Sequence, residues 1–164
     1  MPRVLLILFG LLAACTSHEA ARRPASAASE PAGPGAWTRV TTLAALESAL
    51  RAASESRPIM LDFHAAWCMP CMELEQRTLV DPAVAPELAR FTTIQIDVTD
   101  DPAGELQALF AAETLPNLQI YAAGSGLGRA LADRRPGATL PQPIHRVTRF
   151  VAPEELTPLL AAVR

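Results

Sequence analysis

The sequence predicts a single α/β domain in which helices cover both faces of a central mixed sheet. Apolar, strand-like runs alternate with helix-like segments along the chain, which favours a mostly parallel sheet. The run 58–63 is apolar on both strand faces, as a sheet covered on both sides requires. Two strand-like runs follow one another near the end of the chain, and we expect them to close the sheet as an antiparallel pair.

Length and composition are consistent with one domain and exclude several classes of protein. The chain has 164 residues, 50% hydrophobic and 19% charged, so it can bury one good core and is not disordered. All 14 basic residues are arginine, they form no dense run, and the formal net charge is −3. This charge balance excludes a nucleic-acid surface. No stretch approaches the roughly 20 apolar residues of a spanning helix.

Local signals justify each element in turn. Thr41 or Thr42 can cap the first helix, whose apolar residues recur at helical spacing. Asp-Pro pairs at 81–82 and 101–102 each place a cap before a proline that suits the first helical turn. Pro158 lies inside the last helix and should kink it or delay its start. In chain order we predict a strand at 37–41, a helix at 43–53, a strand at 59–63, helices at 68–79 and 81–90, a strand at 92–98, a helix at 101–113, strands at 118–121 and 144–150, and a helix at 154–163.

The N-terminus resembles a bacterial lipoprotein signal. Arg3 precedes the apolar run 4–14, which suits a signal peptide and is too short for an anchor helix. The segment 12–15, Leu-Ala-Ala-Cys, resembles a lipobox, which implies cleavage before Cys15 and acylation of that residue. Thr16 stands where an aspartate would signal retention in the inner membrane, so the outer membrane is favoured. An ordinary signal peptide, in which Cys15 is incidental, is the alternative.

Three regions follow from these patterns. Residues 1–14 form the signal peptide, and residues 15–36 form the lipidated cysteine and a flexible linker rich in Ala, Ser, Pro and Gly. Residues 37–164 form the folded unit. We expect a periplasm-facing protein of the bacterial cell envelope, held to a membrane only through its lipid anchor.

Two cysteines, Cys68 and Cys71, lie where the strand 59–63 leads into a helix. Unpaired backbone N–H groups and the helix dipole favour an anion at this position, so Cys68 is the predicted nucleophilic thiolate and the exposed one. Cys71 lies about one turn further on the same face, where it can attack a mixed disulfide on Cys68 and release the product. A Cys-x-x-Cys pair after a strand therefore predicts thiol–disulfide exchange.

Other uses of the pair are less consistent with the sequence. Zinc needs a second pair of ligands, and His64 and His145 have no paired spacing. Covalent haem attachment needs histidine after the second cysteine, where this chain has Met72. A structural disulfide across four residues would constrain the chain little. Zinc and the structural disulfide stay open as minor alternatives, and we expect no metal and no cofactor beyond the redox-active disulfide.

The cysteine segment carries a family resemblance. Residues 61–71, Leu-Asp-Phe-His-Ala-Ala-Trp-Cys-Met-Pro-Cys, resemble the active-site segment of the thioredoxin superfamily. The run 71–75, with Thr78 and the pair 81–82, further resembles the C-terminal periplasmic domain of the DsbD family of transmembrane reductant carriers. The resemblance covers about residues 57–160. It implies a thioredoxin fold in a stand-alone, tethered relative of that soluble domain.

The resemblance assigns roles to further residues. Asp62 stands where thioredoxins hold a buried carboxylate that exchanges protons with Cys71, although a solvated aspartate is the alternative. Glu75 matches a second acid near the thiols in the DsbD-like domain, with a solvated helix face as the alternative. Pro116 matches the cis-proline that faces the thiols, and the Leu115 backbone before it would pair with an extended substrate chain.

Residues around the pair complete the expected site. Trp67, Met69 and Pro70 are expected to supply a docking surface for the substrate. Arg149 falls where thioredoxins carry a glycine beside the substrate groove. His64 replaces an aromatic residue of the family, and we expect it to pack structurally, with tuning of the cysteine pair as the alternative.

Two departures from the family stand out. Thr93 replaces the lysine usual in the third strand. The segment 124–143 is an insertion with four glycines and three prolines, which we expect to form an extended mobile loop. In the thioredoxin fold that turn lies at the end of the sheet away from the thiols.

These observations leave three functional hypotheses. The first is a cell-envelope thiol:disulfide oxidoreductase that reduces protein disulfides, because proline precedes the second cysteine. The second is an oxidase that introduces disulfides, which usually carries histidine there. The third is a non-catalytic binding module. For the first we expect a monomer that receives electrons from a membrane carrier of the DsbD or CcdA type. Its clients would be protein thiols or disulfides, such as an apocytochrome in cytochrome c biogenesis, a scrambled disulfide, a sulfenic acid or another carrier.

Overall fold

The computed structural model describes residues 36–101, 104–135 and 139–164, and the predicted signal peptide 1–14 and Cys15 lie outside them. Five strands and six α-helices alternate within the described residues. In chain order the elements are β1 (Thr38–Val40), α1 (Leu43–Ala52), β2 (Ile59–His64), α2 (Met69–Glu73), a π-helical turn (Leu74–Thr78), α3 (Ala85–Leu88), β3 (Thr92–Asp97), α4 (Glu105–Phe110), β4 (Asn117–Tyr121), α5 (Leu127–Ala132), β5 (His145–Val147) and α6 (Pro153–Ala161).

The five strands form one mixed sheet in the order β1-β3-β2-β4-β5. β3 runs parallel to both β1 and β2, whereas β4 runs antiparallel to β2 and to β5. The register places Asp62 of β2 between Gln95 of β3 and Leu118 of β4. The predicted mixed α/β fold, closed by an antiparallel pair of strands, is confirmed.

Two hydrophobic clusters lie on the two faces of the sheet. Alternate residues of β2 contribute to different clusters, because successive strand side chains point to opposite faces: Leu61 and Phe63 to the first, Met60 to the second. Both cysteines belong to the first cluster. The central strand is therefore buried on both faces, which explains its uninterrupted apolar sequence.

A threonine and an aspartate side chain bond to the first amides of two helices. Thr42 caps α1 as predicted, since its Oγ1 accepts a hydrogen bond from the Ala45 amide at 3.2 Å. Asp101 caps α4 from a distance, accepting from the Leu106 amide at 3.2 Å. The predicted helix 81–90 begins later than expected. Asp81 accepts from the Ala83 amide at 2.8 Å and so closes a turn, and α3 begins only at Ala85.

The helix predicted at 68–79 also changes character along its length. Its first part is α2, and its second part is the π-helical turn, in which the Leu79 amide donates to the Leu74 carbonyl at 3.0 Å. One residue is thereby added to the turn. Such turns are frequent at functional sites.

The helix predicted to run to Glu113 ends at Phe110. The Phe110 carbonyl accepts from Gln119 Nε2 at 2.9 Å and from Arg146 Nη1 at 3.1 Å. These two side chains of neighbouring strands take the place of further helical hydrogen bonds. Ala111 then adopts a left-handed conformation with φ 49°, which turns the chain away.

The prediction of an extended loop at 124–143 is wrong, because the segment contains α5. Leu127 and Leu131 lie one helical turn apart and are both buried in the first cluster, which also contains residues of α1. A Cβ atom on Gly128 would lie 2.9 Å from the Leu50 carbonyl oxygen. Glycine thus permits the close approach of α5 to α1, and burial stabilises a helix of six residues that is too short to be stable alone.

The last helix tolerates the proline inside it. α6 begins at Pro153, earlier than predicted, and continues through Pro158 to Ala161. Leu156 and Leu160 bury one side of α6 in the second cluster. Packing therefore overrides the expected delay.

Candidate active site

The loop that leads from β2 into α2 is held at both ends. The Ala66 amide donates to Thr99 Oγ1 at 2.8 Å, and the Thr99 amide donates to Asp97 Oδ1 at 2.9 Å. The Cys68 amide donates to the Ala65 carbonyl at 3.0 Å. Cys68 is thereby placed at the N-cap of α2. The role of Thr99 was not predictable from local sequence, because it depends on the end of β3 meeting this loop.

Cys68 and Cys71 form a disulfide, with their Cα atoms 5.3 Å apart. The Cys71 amide points at the Cys68 sulfur, with its nitrogen 3.2 Å from Sγ. An N–H group in this place stabilises a thiolate on Cys68 when the pair is reduced. Both residues are buried, so Cys68 is not exposed as predicted. In the disulfide each sulfur covers the other.

Asp62 lies within the core and not in solvent. Only 2% of its surface is exposed, and Gln95 Nε2 donates to its Oδ2 at 3.0 Å. Its other oxygen, Oδ1, is buried and has no hydrogen-bond partner among the described residues. Burial raises the pKa of the Asp62 carboxyl group from 3.8 to about 6. A carboxyl group with such a pKa both takes and gives protons near neutral pH.

Charged residues from three elements change the pKa of the Asp62 carboxyl group. The hydrogen bond from Gln95, then the positive charges of His64 and Arg39, lower the pKa of the Asp62 carboxyl group, whereas the negative charge of Glu75 raises it. Glu75, the predicted second acid, is paired with Arg39, whose Nη2 donates to its Oε1 at 2.5 Å. The pair joins β1 to the π-helical turn. The roles of Gln95 and Arg39 were missed, because strand register alone brings them to Asp62.

The peptide bond between Leu115 and Pro116 is cis, as the resemblance implies. Pro116 is buried, and Leu115 is partly buried against the cluster that contains both cysteines. Behind this loop, Asn117 Nδ2 donates to the Thr114 carbonyl at 3.2 Å, and Gln119 Nε2 donates to Asn117 Oδ1 at 3.0 Å. Buried amides thus hold the shape of the proline loop.

Most of the residues expected to dock substrate are exposed side chains next to Cys68. Trp67 and Met69, which flank Cys68, are 65% and 70% exposed, and Pro70 is exposed as well. Large apolar side chains left in water beside a reactive pair suit contact with another protein. Arg149 is exposed, and its Nη2 donates to Glu155 Oε2 at 2.6 Å. Its expected contact with substrate stays a prediction.

The structure also describes the surroundings of Thr93 and His64, the two residues that depart from the family pattern. Thr93 is buried, and its Oγ1 donates to the Ala36 carbonyl at 3.2 Å, so it ties β3 to the chain before β1. His64 lies at the end of β2, partly buried, with its Nδ1 buried and without a partner among the described residues.

Within the described ranges, no cluster of three or more His, Cys, Asp or Glu side chains is arranged to hold a metal ion. Nor does any helix described there have the length and apolarity needed to cross a bilayer.

A mixed sheet, a cysteine pair at the start of a helix, a buried aspartate in the strand that leads to the pair and a cis-proline define the thiol:disulfide oxidoreductases of thioredoxin fold. Residues 41–123 match the family described as Thioredoxin-like, and the chain belongs to that family. Among solved structures, the oxidised C-terminal domain of DsbD from Neisseria meningitidis is 25% identical, with a TM-score of 0.56. That match covers 77% of this chain and 100% of that domain. A thioredoxin mutant from Halobacterium salinarum, 20% identical with a TM-score of 0.54 over 82% of this chain and 96% of that one, shows the same fold.

Curated relatives extend the likeness to DsbD. The thiol:disulfide interchange protein DsbD 1 of Pseudomonas aeruginosa is 36% identical over 78 residues, which are 47% of this chain and 13% of that protein. The thiol:disulfide interchange protein DsbD of Ralstonia nicotianae is 41% identical over 83 residues, 49% of this chain and 14% of that protein. The chain thus spans only about an eighth to a seventh of these relatives and is similar to their C-terminal domain.

Proposed function

We propose that this protein reduces disulfides of protein clients in the bacterial cell envelope through the Cys68–Cys71 pair. The observation that carries the proposal is the position of the pair: Cys68 caps α2, and the Cys71 amide points at Cys68 Sγ. Asp62 is buried in β2, the strand that leads to the pair. The likeness to the C-terminal domain of DsbD supports thiol–disulfide exchange as the chemistry.

The reduction proceeds in two exchanges. The Cys68 thiolate attacks one sulfur of the client disulfide, forms a mixed disulfide and releases the other client sulfur as a thiolate, which takes up a proton. Asp62 then accepts the proton of the Cys71 thiol, and the Cys71 thiolate attacks Cys68 Sγ. The second client sulfur leaves as a thiolate and also takes up a proton. Two electrons pass to the client, which ends with two thiols, and the protein ends with the disulfide that the structure contains.

Regeneration of the dithiol needs a reductant outside this chain. We propose a membrane carrier of the DsbD or CcdA type that supplies two electrons by the same exchange chemistry in reverse. The exposed side chains of Trp67 and Met69 would meet both this carrier and the client, because both must reach Cys68. The chain would act as a monomer that alternates between the two partners.

The anchor forms a separate proposal. The lipobox-like segment before Cys15 supports cleavage and acylation of that residue, with the outer membrane favoured by Thr16. More than one acyl chain would hold the protein stably to a membrane. Mass spectrometry of the protein from bacterial membranes should find acyl groups on Cys15, and the Cys15→Ser variant should be soluble or unprocessed. An unmodified Cys15 in processed protein would exclude the anchor.

Trapping a defined client tests the exchange chemistry. Both variants are made in a Cys15→Ser background, so that no other thiol is present, and mixed with a disulfide-bonded peptide. Cys71→Ser should accumulate a mixed disulfide between Cys68 and the peptide, visible by mass spectrometry. Cys68→Ser should form almost none, since Cys71 lies inside α2 and lacks the position at its N-cap. Equal adduct on both variants would contradict the roles assigned to the cysteines.

A further inference from the structure

His64 and Asp62 lie on one face of β2, two residues apart, so their side chains leave the strand in the same direction. At about 3.3 Å per residue, their Cβ atoms are about 7 Å apart. Each of the two side chains has a buried polar atom, Oδ1 of Asp62 and Nδ1 of His64, that lacks a hydrogen-bond partner among the described residues.

Two such atoms on one strand face call for a common explanation. Buried polar atoms are nearly always bonded to protein or to an ordered water, because leaving them unpaired costs about 1–3 kcal/mol each. A separation of about 7 Å between Cβ atoms suits a single water that bonds to both groups. His64 is partly exposed, so its ring extends from the buried carboxyl group towards solvent.

We propose that His64 is a positioning residue, whose imidazole is bridged to the Asp62 carboxyl group by one water and keeps that group ionised and oriented to accept the Cys71 proton. The inference rests on the proposed dithiol reaction and concerns the step in which Cys71 resolves the mixed disulfide. In that step the proton moves from Cys71 Sγ to Asp62, and the Cys71–Cys68 bond replaces the bond between Cys68 and the client.

The other charged groups around Asp62 and His64 are engaged elsewhere, so they do not take over the proposed role of His64 towards the Asp62 carboxyl group. Asp62 faces Gln95 from β3, and it also feels Arg39 of β1 and Glu75 of the π-helical turn, which are paired with each other. His64 is in register with Asp97 of β3, but the Asp97 carboxylate is engaged by Thr99. After the Gln95 hydrogen bond, the positive charge of His64 is the largest influence that lowers the pKa of the Asp62 carboxyl group.

The test follows two signals in the full chain across pH 5–9, with His64→Phe and His64→Gln compared with the wild type. The first signal is the carboxyl carbon chemical shift of Asp62 in the NMR spectrum, which reports its ionisation directly. The second is the single-turnover rate at which reduced protein cleaves a disulfide-bonded peptide. His145→Phe, on the partly buried edge strand β5, is the matched control.

Both His64 variants should titrate Asp62 about half to one pH unit higher than the wild type, since an opposite charge at this range is lost. At pH 5, below both titrations, the rate should fall about three- to tenfold, in proportion to the ionised fraction of Asp62. At pH 7 it should fall by no more than about twofold, and above about pH 8 the rates should converge, because Asp62 is then ionised in every form. A merely structural role of His64 would lower the rate at all pH values. His145→Phe should match the wild type.

An unchanged Asp62 titration in both variants would overturn the proposal. If His64→Phe does not fold, His64→Gln, which keeps a polar side chain, decides alone. Failure of the proposed function would look different: the wild-type protein would not cleave the peptide at any pH, while the NMR titration would still report on His64 and Asp62.

Discussion

Replacing Asp62 by asparagine should stabilise the oxidised protein at neutral pH while it slows the reaction. The carboxyl group is 2% exposed, and burial is the main reason that its pKa rises from 3.8 to about 6. The group is therefore ionised at pH 7 in a place that disfavours its charge. Asparagine has a similar shape and carries no charge at any pH of interest.

The sign and size of this effect on the free energy of unfolding follow from the difference between the folded and unfolded pKa values of Asp62. Below about pH 3 the carboxyl group is protonated in both folded and unfolded chains, so it makes no charge-related difference. Between about pH 4 and 6 the unfolded chain ionises first, and stability falls as pH rises. Above the folded pKa the loss is complete. About two pKa units, at about 1.4 kcal/mol per unit, make this loss about 3 kcal/mol.

Urea unfolding of the oxidised protein, at several pH values from 4 to 8, measures the effect. The free energy of unfolding of Asp62→Asn, minus that of the wild type, should increase by about 2.5 kcal/mol over this range, because a small part of the effect is already present at pH 4. Any constant cost of burying the amide cancels in this change with pH. Asp100→Asn, an exposed aspartate, should run parallel to the wild type. Parallel curves for Asp62→Asn and the wild type would refute the buried, raised-pKa carboxyl group.

The same variant should lose activity. Without a carboxylate at position 62, Cys71 has no nearby acceptor for its proton in the resolving exchange. We expect turnover at pH 7 to fall about a hundredfold, at the lower end of what general bases contribute. A variant more stable than the wild type and less active shows that Asp62 is kept for reaction and not for folding.

Two further predictions concern other contacts. Gly128→Ala should lower the free energy of unfolding, measured in urea, by about 1–3 kcal/mol, because its Cβ would lie 2.9 Å from the Leu50 carbonyl oxygen. The control, Arg129→Ala on the exposed side of the same helix, should change this free energy by no more than about 0.5 kcal/mol. A harmless Gly128→Ala would show that α5 does not pack closely on α1. Glu75→Gln should lower the pH at which Asp62 titrates by NMR, and Arg39→Gln should raise it, since the two charges act on Asp62 with opposite signs. Shifts in the same direction would contradict this account of the site.

Much of the fold was predictable because apolar runs and caps are local signals. The run 59–63 and the cap at Thr42 needed no knowledge of the rest of the chain. The helix α5 was missed because glycines and prolines surround it, although Leu127 and Leu131 have helical spacing. Its stability comes from burial against α1, which the sequence does not reveal.

The site residues likewise fall into those that local sequence predicts and those that it does not. Cys68, Cys71 and Asp62 lie close together in sequence, and a motif carries them. Gln95 and Arg39 reach Asp62 only through strand register, and Thr99 reaches the loop before Cys68 only because β3 ends there. Contacts of this kind depend on which strands become neighbours and in which register, and these cannot be predicted from local sequence.

The reduction potential of the Cys68–Cys71 pair tests most directly whether the protein is a reductant. The dipeptide Met69-Pro70 places no cation beside Cys68, and the Asp62 carboxyl group in the strand that leads to the pair is ionised at neutral pH. We expect neither to stabilise the Cys68 thiolate strongly. Equilibration with glutathione redox buffers, read by mass spectrometry of alkylated thiols, should therefore give about −200 to −270 mV. A potential above about −150 mV would contradict the reductant and assign the pair to the introduction of disulfides.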